Sequence, residues 1–279
     1  MAPAGVARDV GRRVALGLVT IGLATVVVFL LTQALGDPAV AILGRDARQP
    51  ALLAAKRTEL GLDRPLVEQY WDWATGFLTG DPGRSYATGR PVAEGLGPRI
   101  VSSLVLMGAA AVLAVPAALA LGVHSARRRG RAVDRVTNVA TLVLVSIPEL
   151  VVATALVAVF SVGVFHLLPA VSTVRGATRP WDDLRGMVLP TVTLALAALP
   201  YVTRSTRAAM VEELDRPHVE MARLNGIDER TVAWRHAFPN ALGPTLQVVA
   251  LSLTFMLGGV VVVEDVFNYP GIGSALVDA

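Results

Sequence analysis

Three stretches of this chain run on without an aspartate, glutamate, lysine or arginine: Val14 to Gly36, Ile100 to Ala126 and Leu242 to Val263. A helix needs about 20 predominantly apolar residues to cross a bilayer, and each stretch is long enough. Two further segments follow the same pattern less cleanly. Val136 to Phe165 is interrupted only by Glu149, and Met187 to Tyr201 is short but continues into an amphipathic extension. Hydrophobic residues make up 53% of the chain and charged ones 17%, where a soluble domain is about a quarter charged. The fold class is therefore all-α, a polytopic membrane protein with five apparent spans.

Arg8, Arg12 and Arg13 precede the first span as they would a signal peptide, but its apolar core exceeds the roughly 7 to 15 residues of a cleaved signal. With no cysteine in the chain, the loops hold by packing alone. Arginine placement sets the expected orientation. The loop from His124 to Arg135 carries Arg127, Arg128, Arg129, Arg131 and Arg135 against Asp134 alone, which puts it and the N-terminus in the cytoplasm. Asp37 to Arg99 then lies outside, and Arg204 to Pro239, with six arginines, lies inside.

Enzyme chemistry has no constellation here. His124, His166, His218 and His236 fall in different segments, and neither a His-Glu-x-x-His nor a Gly-x-Ser-x-Gly pattern occurs. The single lysine, Lys56, follows Ala55, so the chain lacks the Gly-Lys-Ser/Thr phosphate loop and any ATP must be hydrolysed by another subunit. The arginine clusters flank membrane spans without interleaved aromatics, and topology accounts for them without nucleic acid. Glu149, just past Pro148, lies roughly 20 Å along a helix from Arg135. It has two readings: a carboxylate lining a polar pathway, or a helix-end acid reaching outer-surface water beyond a proline kink. Gly258-Gly259 in the last span permits close helix packing.

The charged segment before the last span has its own punctuation. Asp215 can cap a short helix with Pro217 in its first turn, and Asn225-Gly226 ends it. Asp228 can cap a second helix running through Trp234, with Pro239 and Asn240 at the start of the last span. Helix, glycine turn, helix makes a compact knuckle able to move as a unit; an amphipathic linker on the membrane surface is the plainer alternative.

Glu220-x-Ala222-x3-Gly226 followed by Pro239 resembles the EAA motif of bacterial ABC importer permeases, within a run from His218 to Leu242 similar to the peptide and nickel branch. Other segments match the first permease of dipeptide, oligopeptide and nickel systems: Gly36-Asp37-Pro38, Glu59 to Leu66, Gly83-Arg84-Ser85-Tyr86 and Thr88-Gly89-Arg90-Pro91-Val92. So do Ser146-Ile147-Pro148, Leu189-Pro190, Thr206-Arg207, and Val263-Glu264 through Val266-Phe267 and Tyr269-Pro270-Gly271-Ile272-Gly273.

The resemblance implies a type I ABC importer transmembrane domain in the bacterial inner membrane. Residues 1–95 would form the first transmembrane helix and external segment, and 96–279 the ABC type-1 domain. The implied partners are a second permease, two cytoplasmic ATPases that bind ATP and magnesium, and an extracytoplasmic binding protein; the chain itself would hold no cofactor or metal. Carried over by position, Glu220, Ala222, Arg223, Gly226 and Pro239 form the ATPase-coupling loop, with Glu220 free to pair with the ATPase or with Arg223. Met221 departs from a common second alanine. The family also continues past Gly271-Ile272-Gly273 through a last membrane helix, so a sixth span is expected to be missing through truncation. The implied substrates are di- or oligopeptides, with nickel or another small solute as the alternative. A secondary transporter working without an ATPase is the rival of a different class.

Overall fold

A computed structural model describes residues 3–86, 89–163, 165–172 and 180–278. Thr88, Val164 and Ala279, which fall within segments singled out above, lie outside them. Among the described residues every regular element is helical, apart from one antiparallel bridge between Arg84 and Pro91. The chain divides into two compact units, Met1–Gly95 and Leu96–Ala279.

The first unit opens with α1 (Pro3–Ala34), none of whose apolar window is buried by protein. Asp37 then starts α2 (Pro38–Leu43): its carboxylate accepts the Ala39 amide at 2.9 Å and the Arg57 guanidinium at 2.6 Å. A 3-10 turn (Gly44–Arg48) leads to α3 (Pro50–Glu59) and then α4 (Leu66–Thr79), which stops at Gly80 with φ +89°. Only glycine takes that left-handed conformation without penalty.

The second unit comprises α5 (Val92–Arg127) from Leu96 onward, α6 (Ala132–Ser146), α7 (Glu149–Val157, extended by a π turn to Gly163), α8 (Leu184–Leu214), α9 (Pro217–Leu224), α10 (Glu229–Thr231), α11 (Phe238–Val266) and α12 (Ile272–Asp278). A π-helical stretch, Val232–Ala237, joins α10 to α11 without a break. α8 is the helix the others surround: 61% of its apolar window is buried, against 22% for α5.

Spacing explains that contact. On α5, Leu106, Ala110, Ala114, Ala118 and Gly122 recur every fourth residue and are all buried. On α8, Leu194, Ala198, Val202, Thr206, Met210 and Leu214 do the same. Residues four apart share a helix face, and in lipid the small ones let backbones approach closely. Gly122 is the tightest point, since a Cβ there would stand 2.6 Å from Thr206 Cβ and 2.9 Å from the Thr203 carbonyl oxygen.

Among the described residues four helices are long and apolar enough to cross a membrane: Arg8–Ala34, Val92–Arg127, Leu184–Leu214 and the continuous Glu229–Val266. The pair α6 and α7, bent by 101°, makes a fifth when counted as one span. Two expectations are corrected in detail. The run Val136 to Phe165 breaks at Ile147-Pro148, because the residue before proline is pushed out of the helical region; Ile147 is extended, at φ −96° and ψ 124°. And Arg204 to Leu214 is not loop but the last turns of α8, where the buried row continues through Met210 and Leu214 and Arg207 finds a carboxylate partner.

Gly122→Ala is expected to destabilise the protein by about 1–3 kcal/mol through overpacking. Gly108, with nothing within 4 Å of an added Cβ, is the control. Thermal unfolding of the reconstituted protein reads both, and an unchanged midpoint for Gly122→Ala contradicts the close α5–α8 contact.

Candidate functional site

Between α8 and α11 the chain folds into a small knuckle. Arg216 is extended (φ −78°, ψ 146°), Pro217 occupies the first turn of α9, and Val219 and Ala222 face inward. They join a buried cluster with Val123 and Ala126 of α5, Met210 and Leu214 of α8, and Val232, Ala233 and Ala237 of the next helix. Glu220, Met221 and Leu224 point the other way, Leu224 being 75% exposed. Alternation of buried and exposed positions at helical spacing gives α9 one seated face and one free face.

Gly226 ends α9 with φ +78°, and an added Cβ would meet nothing within 4 Å, so conformation alone selects glycine there. The turn is closed by the Gly226 amide on the Arg223 carbonyl at 2.9 Å and the Ile227 amide on the Ala222 carbonyl at 3.2 Å. Asp228 caps α10 as expected, its carboxylate accepting the Arg230 and Thr231 amides.

Three readings of this segment are revised. Asp215 does not cap α9: Arg216 holds the cap position without a side-chain bond, and Asp215 accepts from Arg129 at 3.1 Å. Arg223 pairs not with Glu220 but with Glu229, at 2.8 Å, and its Nη1 donates to the Leu214 carbonyl at 3.1 Å. One guanidinium thereby ties the end of α8 to the start of α10 across α9. The second helix is not separate either, because α10 runs through the π turn into α11 and places exposed Pro239 near the start of α11 within one continuous rod.

Beside the knuckle is a polar node that the sequence did not disclose. Asp134, 4% exposed, accepts from Arg207 Nε at 2.6 Å and Nη2 at 2.9 Å, from Ser125 Oγ at 2.6 Å and from the Gly130 amide at 2.9 Å. Asn138 Nδ2 donates to the same carboxylate at 3.0 Å. A single carboxylate so joins α5, the arginine loop, α6 and α8. The lone acid among five arginines was its only sequence signal.

A second buried carboxylate sits at the other end of α11. Glu264, fully buried, accepts from Ser103 Oγ of α5 at 2.5 Å and from the Gly273 amide at 2.6 Å, and Ser103 Oγ in turn accepts the Ile272 amide at 2.9 Å. A Cβ on Gly271 or Gly273 would collide with the Glu264 carboxylate, which is the physical reason for two glycines in Tyr269-Pro270-Gly271-Ile272-Gly273. Burial, reinforced by the Glu264 charge, pushes the Tyr269 phenol up to about 12, and its hydroxyl donates to the Ser102 carbonyl.

Glu149 begins α7 directly past the Pro148 break. Its carboxylate packs against Gly259 of α11, where a Cβ would overlap it, and is half-buried without a hydrogen-bond partner among the described residues. Gly259 is thus a packing glycine, whereas Gly258 faces open space.

Residues 114–279 match the family described as the binding-protein-dependent transport system inner membrane component, and residues 6–120 match its N-terminal companion family. The chain belongs to this family of ABC importer permeases. The permease is 36% identical over 266 residues to the glutathione transport system permease protein GsiC of Salmonella choleraesuis strain SC-B67, covering 95% of this chain and 84% of the relative. The GsiC proteins of Salmonella typhi (36%) and Escherichia coli K12 (35%) match over the same shares. Permeases of this family are transport subunits rather than enzymes, with ATP hydrolysis in partner subunits.

In this permease Asp134→Ala would leave Arg207 without its counter-charge in a largely buried site, at an expected cost of about 3–5 kcal/mol. Replacing both partners, Asp134→Leu with Arg207→Met, should recover most of it. Denaturant unfolding of the reconstituted permease compares the two, and equal loss in single and double variants contradicts a dominant orphan-charge penalty.

Proposed function

We propose that this permease forms half of the translocation path of an importer for peptides, and that α9 is where a cytoplasmic ATPase docks. The observation that carries the coupling reading is the two-sided build of α9. Val219 and Ala222 lock it to the ends of α5, α8 and α11, while Glu220, Met221 and Leu224 stay free. A push on the free face reaches three long helices together, because a packed element moves as a body. Arg223 and Gly226 hold the knuckle's shape, and Pro239 lies at the start of the rod it drives. In this reading the N-terminus and the arginine loop are cytoplasmic. A second permease, two ATPases and an extracytoplasmic binding protein complete the machine.

Likeness to glutathione permeases supports a substrate of peptide character, and di- and oligopeptides are the proposed range. Glu149, at the break between α6 and α7 and against α11, is the proposed pathway residue, since a carboxylate at a helix break can face a polar channel.

Leu224→Asp is the direct test of coupling, because Leu224 lies outside the buried cluster and the variant should insert and fold normally. Uptake of labelled peptides by cells carrying the permease with its neighbouring genes is expected to fall about 30-fold, the equivalent of a hot-spot contact worth about 2 kcal/mol. Undiminished uptake would refute docking at α9. Glutathione, dipeptide, pentapeptide and nickel run in parallel test the substrate range, and uptake of nickel alone overturns the peptide reading.

A further inference from the structure

α4 has a division of faces that the transport reading does not use. Along Leu66–Thr79 two apolar rows lie side by side: Leu66, Tyr70, Trp73 and Phe77, and Val67, Trp71, Ala74 and Leu78. Glu68, Gln69, Asp72, Thr75 and Thr79 fill the remaining arc, so the helix is apolar over nearly half its circumference.

The first row is partnered. Tyr70 meets Phe29 of α1 edge-on at 5.5 Å, its hydroxyl lies 3.0 Å from Thr25 Oγ1, and Trp73 and Phe77 extend the aromatic series. The polar arc is occupied too: Asp72 and Glu68 both pair with Arg64, and Gln69 donates to the Arg64 carbonyl at 2.8 Å while its side-chain oxygen accepts from Gln33 Nε2 of α1 at 3.3 Å. The second row is largely open: Val67, Trp71 and Leu78 are 78%, 65% and 84% exposed, and Ala74 is partly buried between them.

Depth identifies what covers that row. α4 touches α1 through these side chains rather than along its length. Gln33, Phe29 and Thr25 precede the end of α1 at Ala34 by one, five and nine residues, which at 1.5 Å per residue is roughly 2–14 Å below the helix end, the Tyr70 ring reaching deepest. Amphipathic helices on a bilayer seat their apolar face about 5–10 Å into the boundary between headgroups and acyl chains, and tryptophan and tyrosine concentrate at that level. We infer that α4 is an interfacial helix, lying on the membrane face reached by the C-terminal end of α1 with Val67, Trp71, Ala74 and Leu78 in lipid. In that position it braces α1, none of whose apolar window is buried by protein. The inference rests on α1 crossing the bilayer, and not on what the permease carries.

The cysteine-free chain permits a direct test. Val67→Cys, Leu78→Cys and Thr75→Cys, each carrying a nitroxide spin label, would be assembled with cysteine-free partner subunits in phosphatidylethanolamine and phosphatidylglycerol nanodiscs. Collisions with dissolved oxygen should exceed those with a water-soluble nickel chelate severalfold at positions 67 and 78, with the ratio reversed at Thr75. Equal access of the chelate to all three positions would place α4 in water and overturn the proposal. Exclusion of both reagents from 67 and 78 would also overturn it, by showing a protein partner on that row.

Discussion

Helices dissolved in lipid gain little by hiding apolar surface from one another, so what holds this permease together must be shape at close range and a few well-satisfied polar contacts. The fourfold row of α5 against the fourfold row of α8 supplies the shape. Leu106 and Leu194 are interleaved with alanines along these rows, and toward the knuckle Gly122 meets Thr206 at a close approach that no side chain on α5 could share. The rest of the second unit takes its position from α8, which has α6, α7 and α11 packed around it.

The polar contacts stand at the two ends of that packed pair. Asp134 gathers donors from α5, the arginine loop, α6 and α8, and Glu264 gathers them from α5 and the turn after α11. Each carboxylate has several donors, the condition under which a buried charge is tolerated in a low-dielectric site. Their positions differ in what they fix. Asp134 ties together the helix ends that border the knuckle. Glu264 fixes the fold of a loop on its own helix against α5, and holds Ser103, Gly273 and Tyr269 in one local arrangement.

Much of this was legible in the sequence. The uncharged runs gave the long helices, Gly226 and Asp228 gave the turn and cap of the knuckle, and Pro148 gave the break at which Glu149 sits, because these signals act within a few residues of chain. The misreadings share a different cause. Arg204 and Arg207 looked like loop because charge usually ends a span, yet the arginine that matters finds Asp134, 73 residues away. Glu264 and Ser103 are 161 residues apart, so the motif around Tyr269 could be matched but not explained until the fold brought them together. Asp215 and Arg223 were misassigned for the opposite reason: each had a plausible local partner, and tertiary structure offered a better one in Arg129 and Glu229.

Glu149 shows how a helix break changes what a membrane can tolerate. In an unbroken helix its carboxylate would lie among side chains with every nearby amide already bonded. At the first position of α7 it stands beside amides that have no intrahelical acceptor, where the helix dipole favours negative charge. The break at Pro148 turns the chain through 101°, with the carboxylate against the bare backbone of Gly259. The proline and the glycine are therefore one device: the bend makes room for the carboxylate, and the absent side chain on α11 lets it stay beside the helix that runs to the knuckle.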